Sequence, residues 1–123
     1  MSIKKILIVE DDAILVTVLT DNLAAEGFEI IKAVNGEEGL ATALREHPDL
    51  ILLDILMPVM DGITMLKKMR KDDWGKNAKV IMFTNFSEDE KVSEAIELGS
   101  YEYLVKSCWK IEDVVAKVRE KLK

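Results

Sequence analysis

The segment Leu50-Ile51-Leu52-Leu53-Asp54 contains four consecutive apolar residues followed directly by an acid. A strand that is apolar at every position is typical of a parallel sheet that helices cover on both faces. Four apolar runs in the chain end in a polar residue: 6–9 before Glu10 and Asp11, 50–53 before Asp54, 80–83 before Thr84, and 103–105 before Lys106. Because parallel strands have their carboxyl ends at one edge of a sheet, we expect these polar side chains to meet there.

The rest of the chain alternates short β-branched runs with longer amphipathic runs. This alternation predicts a doubly wound α/β domain with a five-stranded parallel sheet and right-handed crossovers. The predicted strands lie near 4–9, 29–33, 49–53, 79–83 and 102–105. The predicted helices lie near 13–26, 37–46, 62–71, 88–98 and 110–122. We expect residues 1–123 to form one domain, with no segment left for an effector domain.

Local signals place the ends of several helices. Asp12 precedes the first predicted helix and Asp61 precedes the third, so both are predicted to cap helix N-termini. Gly27 is predicted to end the first helix, and Asn35-Gly36 to form a turn. Four residues of the first helix are spaced as one apolar face and are predicted to enter the core: Leu15, Val18, Leu19 and Leu23.

Composition narrows the classes of function. The formal net charge of −6 argues against direct binding to nucleic acid, because its phosphates would repel the protein. No apolar stretch approaches the roughly 20 residues that span a bilayer. Cys108 is the only cysteine, which rules out an internal disulfide and fits a reducing compartment. The sequence therefore predicts a cytoplasmic protein that binds neither nucleic acid nor membrane directly.

The acids and the two other polar residues suit phosphoryl chemistry. If Glu10, Asp11 and Asp54 share one sheet edge, three like charges crowd together, and Mg²⁺ binding would relieve their repulsion. A carboxylate beside Mg²⁺ can attack phosphorus and give an acyl phosphate. Lys106 offers an ammonium and Thr84 a hydroxyl donor to the negative charge on the transferred group. The pattern favours Mg²⁺-dependent phosphoryl transfer to an aspartate.

These motifs resemble the receiver domain of two-component response regulators, in particular the small single-domain chemotaxis and sporulation regulators. The resemblance covers essentially the whole chain, and the stretch from Asp54 to Gly62 is its most specific part. The matching segments are 6–12, 49–58, 60–62, Thr84 and 103–106. The resemblance implies a flavodoxin-like (βα)5 fold with three α/β/α layers.

The resemblance also implies a role for each site residue. Asp54 would be the phosphoacceptor. Asp11 would bind Mg²⁺ directly and Glu10 directly or through water, and the backbone carbonyl of Leu56 would complete the protein ligands together with Asp54. Lys106 would pair with the phosphoryl group, and Thr84 would hydrogen-bond to it.

The leading hypothesis is a phosphorylation-dependent signalling switch. A sensor histidine kinase or a phosphotransfer protein would supply the phosphoryl group, and the protein would catalyse only its own phosphorylation and dephosphorylation. Tyr103 would then change rotamer and alter a face made of the fourth helix, fifth strand and fifth helix, which binds a downstream effector protein. The switch would be a monomer or a phosphorylation-induced dimer. The alternatives are a receiver-like interaction module that does not switch and a phosphohydrolase, for which Leu56 stands where a second acid is usual.

Several positions depart from the family pattern. Ser107 follows Lys106 where most receivers have proline, and Asn85 replaces a small residue after Thr84; both leave room for the non-switching module. Leu56 and Phe86 occupy the positions that orient water for hydrolysis, and both are apolar. We therefore expect slow dephosphorylation.

Overall fold

A computed structural model describes residues 3–55, 57–84, 102–105 and 110–122 of the chain, and for Thr84 and residues 102–105 it describes the backbone only. The strands are β1 (Lys5–Val9), β2 (Glu29–Ala33), β3 (Leu50–Leu53), β4 (Val80–Thr84) and β5 (Glu102–Val105). The helices are α1 (Ala13–Ala25), α2 (Gly36–Glu46), α3 (Gly62–Met69) and a C-terminal helix (Ile111–Lys121), with a 3₁₀ turn at Gly75–Asn77. The strands form one parallel sheet in the order β2-β1-β3-β4-β5. The predicted doubly wound α/β fold is confirmed.

Two apolar cores lie on opposite faces of the sheet, because successive side chains of a strand point to opposite sides. In β3, Ile51 and Leu53 belong to one core, and Leu50 and Leu52 belong to the other. The first core contains residues of α2 and α3, and the second contains residues of α1 and the C-terminal helix. All four residues of β3 are buried, as the apolar run predicts. This burial fixes β3 in the middle of the molecule, and Asp54 follows it directly.

The helix ends follow the local signals. The Asp12 carboxylate accepts hydrogen bonds from the backbone N–H groups of Ile14 and Leu15 at 3.1 and 3.2 Å. The Asp61 carboxylate accepts one from the N–H of Thr64 at 2.7 Å. Each bond satisfies a donor that the first turn of a helix leaves without a partner, so both predicted caps are confirmed. Gly27 has φ 96°, the left-handed conformation expected just after a helix.

The buried face of α1 differs from the prediction at one position. Leu19 and Leu23 are buried and Leu15 packs partly against the same core, but Val18 is 40% exposed. Positions 15, 19 and 23 repeat every four residues and define the centre of the buried face. Val16 packs on one flank of that face, which leaves Val18 on the solvent side of the other flank.

The Asn35-Gly36 pair begins a helix, where a turn was expected. Asn35 is the N-cap of α2, and its side chain accepts a hydrogen bond from the Glu38 N–H at 2.8 Å. Gly36 is already the first helical residue. The predicted helix at 88–98 lies outside the described residues. In the part of the chain that the structure describes, no helix is long and apolar enough to cross a membrane.

At the opposite edge of the sheet from the strand carboxyl ends, His47 follows α2 in the left-handed conformation with φ 47°. Its ring stacks on that of Trp74, with 4.6 Å between the ring centroids and an interplanar angle of 7°. Trp74 itself packs against the first core. The stack therefore connects the turn before β3 to the loop after α3.

Candidate metal and phosphoacceptor site

The parallel pairing of β1 and β3 places Glu10 and Asp54 side by side. Val9 is the register partner of Leu53, so the next residue of each strand comes at the same level of the sheet. The Asp54 N–H donates to the Val9 carbonyl at 3.1 Å, and the Glu10 N–H donates to the Ala33 carbonyl at 3.0 Å. The backbone that carries both acids is thus held by extensions of the sheet hydrogen bonds.

Three carboxylates meet at this edge. Glu10, Asp11 and Asp54 each offer an oxygen atom, and these atoms all lie within 4.8 Å of one another. Glu10 is 3% exposed and Asp54 is 6% exposed, whereas Asp11 faces solvent. The cluster is therefore open to water on the Asp11 side and enclosed by protein on the other. The sequence-based expectation that these three acids converge agrees with their positions.

Backbone donors orient the two buried acids. The Asp12 N–H donates to Glu10 Oε2 at 3.1 Å, and the Ile55 N–H donates to Asp54 Oδ1 at 2.8 Å. The two bonds therefore fix the orientation of one oxygen atom in each buried carboxylate.

The donor set fits a hard divalent cation. Mg²⁺ is bound by oxygen ligands and keeps several waters, so one or two protein carboxylates and an open side are enough. Cys and His ligands, which zinc sites commonly use, are not among the clustered side chains. The cluster thus has the oxygen donors and the open side that a Mg²⁺ site needs.

Two glycines fix the loop that follows Asp54. The Gly62 N–H donates to the Ile55 carbonyl at 2.8 Å, and the Gly36 N–H donates to the Met60 carbonyl at 2.9 Å. A Cβ atom on Gly62 would lie 2.0 Å from the Asp54 carbonyl oxygen, and one on Gly36 would lie 2.5 Å from the Met60 carbonyl oxygen. Because an added Cβ would collide with a backbone oxygen at either position, both positions require glycine. Sequence reasoning missed these contacts because they join residues distant in the sequence, although Asp61-Gly62 was visible as a motif.

Exposed apolar side chains surround the same edge. Ile14 in the first turn of α1, Val34 after β2 and Val59 after β3 are 79%, 54% and 74% exposed. Val59 also has φ 70°, a left-handed conformation that a β-branched residue adopts only with strain. Sequence reasoning missed this set, because each residue comes after a different strand and only the fold brings the strand ends together.

The remaining predicted site residues are described in part or not at all. Thr84 ends β4, and its register partner is Val105, the residue before Lys106. The Thr84 side chain, Leu56 and Lys106 lie outside the described part of the chain. The same holds for Asn85, Phe86, Ser107 and the side chain of Tyr103, so the expectations for these residues stay predictions.

The parallel sheet with an acidic cluster at its carboxyl edge defines the class: a doubly wound α/β protein with a candidate cation site. Comparisons with known proteins identify the family. The sequence matches the family model for the response regulator receiver domain over residues 6–119. It is 38% identical to sporulation initiation phosphotransferase F of Bacillus subtilis over 103 residues, which cover 84% of this chain and 82% of that protein. It is 39% identical over 103 residues to the alkaline phosphatase synthesis transcriptional regulatory protein PhoP of the same organism, covering 84% of this chain and 42% of PhoP.

Comparison with solved structures leads to the same family. A CheY-like receiver domain from Methanospirillum hungatei has a TM-score of 0.91 and 34% identity, covering 98% of this chain and 94% of that one. The chemotaxis response regulator CheY4 of Vibrio cholerae has a TM-score of 0.90 and 29% identity, covering 98% and 100%. The chain belongs to the response regulator receiver domain family.

The family places the chain in two-component signalling, where receiver domains act as phosphorylation-dependent switches and not as metabolic enzymes. The resemblance drawn from the sequence and the CheY-like fold are thus confirmed. The chain spans about half the length of the transcriptional regulators among its relatives, with 50% of one and 49% of another covered.

Proposed function

We propose that residues 1–123 form one receiver domain in which Asp54 accepts a phosphoryl group, with Mg²⁺ held at the acidic cluster. The donor would be the phosphohistidine of a sensor histidine kinase or of a phosphotransfer protein in the cytoplasm. One observation carries the proposal: three carboxylates have oxygens within 4.8 Å of one another at the carboxyl edge of a parallel sheet, and Asp54 is the one that directly follows the middle strand.

The chemistry follows from the positions of the acids. An Asp54 carboxylate oxygen attacks phosphorus, the N–P bond of the donor breaks, and its electron pair returns to the imidazole, which takes up a proton. The Ile55 N–H holds Asp54 Oδ1 during this step, which limits rotation of the nucleophile. Glu10, Asp11, Asp54 and the Leu56 carbonyl would hold Mg²⁺, which when bound offsets the repulsion between carboxylate and phosphoryl oxygens. Lys106 and Thr84 would neutralise the charge on the transferred group.

The output would be a change in protein binding. Phosphorylation would shift an existing two-state equilibrium and alter the face formed by the segment 88–98, β5 and the C-terminal helix. Tyr103 on β5 would couple Thr84 to this face, which would bind a downstream effector protein or a second phosphorylated copy. The kinase would instead contact the acid-site edge around α1, where Ile14 and Val34 are exposed.

The decisive experiment is phosphorylation by acetyl phosphate with Mg²⁺, followed by intact-protein mass spectrometry. The wild type should gain one phosphoryl group, and it should gain none after chelation of the metal or in Asp54→Asn. Asp49→Asn is the matched control, because Asp49 lies at the opposite end of the same strand, where it accepts a hydrogen bond from the Lys5 N–H at 2.8 Å. It should be modified like the wild type.

Phosphorylation that persists in Asp54→Asn would disprove the assignment of the acceptor. A wild type that binds Mg²⁺ but gains no phosphoryl group would favour the non-switching interaction module, with Asn85 or Ser107 as the first positions to restore to the family pattern. Circular dichroism on each variant would separate either result from loss of the fold.

A further inference from the structure

A cleft opens beside the acidic cluster on the side away from β4. It has a volume of about 270 Å³ and lies between α1 and the end of β2. Glu10 and Asp11 line it on one side, and Thr17 and Lys32 contribute further polar groups. Among the described residues that line the cleft, Lys32 is the one with a positive charge. The cleft therefore brings a lysine and two of the three clustered acids to the same volume of solvent.

The register of the sheet fixes where Lys32 lies. Lys32 is the partner of Ile8 in β1, and Ile8 belongs to the core beneath α1, so Lys32 is on the α1 face of the sheet. The next residue, Ala33, accepts the hydrogen bond from the Glu10 N–H. Adjacent strands are about 4.8 Å apart, so the backbone of Lys32 is one strand and one level removed from the acid site.

Lys32 forms no ion pair with the residues that the structure describes. It is exposed, and the described ion pairs of the molecule involve other basic residues: Lys5, Arg45, Lys76, Lys117 and Arg119. The charge of an unpaired ammonium interacts with other charges through the solvent of the cleft. At 0.1 M ionic strength, salt screens such an interaction only beyond roughly 10 Å.

We infer that Lys32 controls the affinity of the acidic cluster for Mg²⁺, stabilising the metal-free cluster and weakening metal binding. This rests on the proposed function, since it concerns the same site. Without metal, the ammonium lowers the repulsion among Glu10, Asp11 and Asp54. With metal, the ammonium and the divalent cation repel each other, so part of the binding free energy is lost. Lys32 thereby sets the Mg²⁺ concentration at which the domain becomes competent for phosphorylation.

The test compares Mg²⁺ binding by the wild type, Lys32→Gln and Lys4→Gln, using isothermal titration calorimetry at low ionic strength. Lys4 is an exposed lysine at the opposite end of β1, so its substitution changes the net charge equally without changing the cleft. For one charge facing a divalent cation across water, Coulomb's law predicts binding by Lys32→Gln that is about threefold to tenfold tighter. The difference should shrink in about 0.5 M salt, and Lys4→Gln should bind like the wild type.

A second measurement separates this electrostatic role from a structural one. Urea denaturation without metal should show Lys32→Gln to be less stable than the wild type, and Mg²⁺ should stabilise the variant more than the wild type. Lower stability without tighter binding would mean that Lys32 only supports the fold, and would overturn the inference. Equal affinities of Lys32→Gln and the wild type, or equal tightening in both variants, would also overturn it. A wild type that fails to bind Mg²⁺ would refute the proposed metal site itself.

Discussion

Replacing Gly62 by alanine should destabilise the protein through a backbone collision next to the acceptor. The added Cβ would lie 2.0 Å from the Asp54 carbonyl oxygen and 2.9 Å from its carbonyl carbon. Close C···O contacts in proteins are about 3.3 Å or longer, so α3 and the end of β3 must separate by more than about 1 Å. That movement also strains the 2.8 Å hydrogen bond from the Gly62 N–H to the Ile55 carbonyl.

The expected loss of unfolding free energy is at least about 3 kcal/mol. Overpacking typically costs about 1–3 kcal/mol when side chains can adjust, and here the opposing atoms belong to the backbone. A weakened hydrogen bond adds about 1 kcal/mol. Because a domain of this size has a total stability of about 5–15 kcal/mol, the variant should remain folded but much closer to its unfolding midpoint.

The assay is urea denaturation without metal, with Gly27→Ala as the control. Gly27 has φ 96°, and apart from its chain neighbours no atom of the described residues lies within 4 Å of an added Cβ. Alanine there therefore suffers only the left-handed backbone penalty of about 1–2 kcal/mol. Gly62→Ala should therefore lose clearly more stability than Gly27→Ala, and it should bind Mg²⁺ more weakly because Asp54 moves. An equal or smaller loss for Gly62→Ala would refute the reasoning.

Three further predictions concern α1, the far edge of the sheet and the phosphorylated state. The Thr20 hydroxyl is buried and has no hydrogen-bond partner among the described residues, so Thr20→Val should raise the unfolding free energy by about 1 kcal/mol in urea denaturation. The control is Thr17→Val, which should not raise it, because the Thr17 hydroxyl is exposed and donates to the Ala13 carbonyl. Hydrogen bonds from Arg45 and Lys5 hold the pKa of the Glu46 carboxyl below its ordinary value of 4.5, so its contribution to stability is present above that pH and is lost as the pH falls through the lowered pKa. Glu46→Gln should accordingly be less stable than the wild type at pH 7 and converge with it in acid, and a gap of constant size across the titration would contradict this. Phosphorylated wild type, followed by mass spectrometry after removal of the donor, should persist for much longer than seconds.

Much of the fold could be predicted because its signals are local. The apolar run 50–53 was enough to predict β3 without knowing which strands pair with it. The caps at Asp12 and Asp61 involve only residues within one helical turn. The exposure of Val18 could not be predicted in this way. Its helical position is compatible with burial, and only the packing of α1 against the sheet decides which flank faces solvent.

The acid cluster could be predicted because each carboxylate follows a strand of one parallel sheet. The contacts of Gly36 and Gly62 could not, since they depend on how α2 and α3 approach the loop after β3. The influence of Lys32 was equally hidden, because the sequence separates it from Asp54 by 22 positions and only the register of β1 with β2 brings it to the cleft.

The stack of His47 on Trp74 gives the protein an intrinsic optical probe at the end remote from the acid site. Tryptophan emission depends on the local environment, and Trp74 is held between an imidazole ring and the first core, so unfolding should alter its intensity strongly. The sequence contains one other tryptophan, Trp109. In a Trp109→Phe background, fluorescence would therefore follow global unfolding from a single position. Because β3 separates that position from Asp54, the signal should respond to denaturant far more than to Mg²⁺ alone.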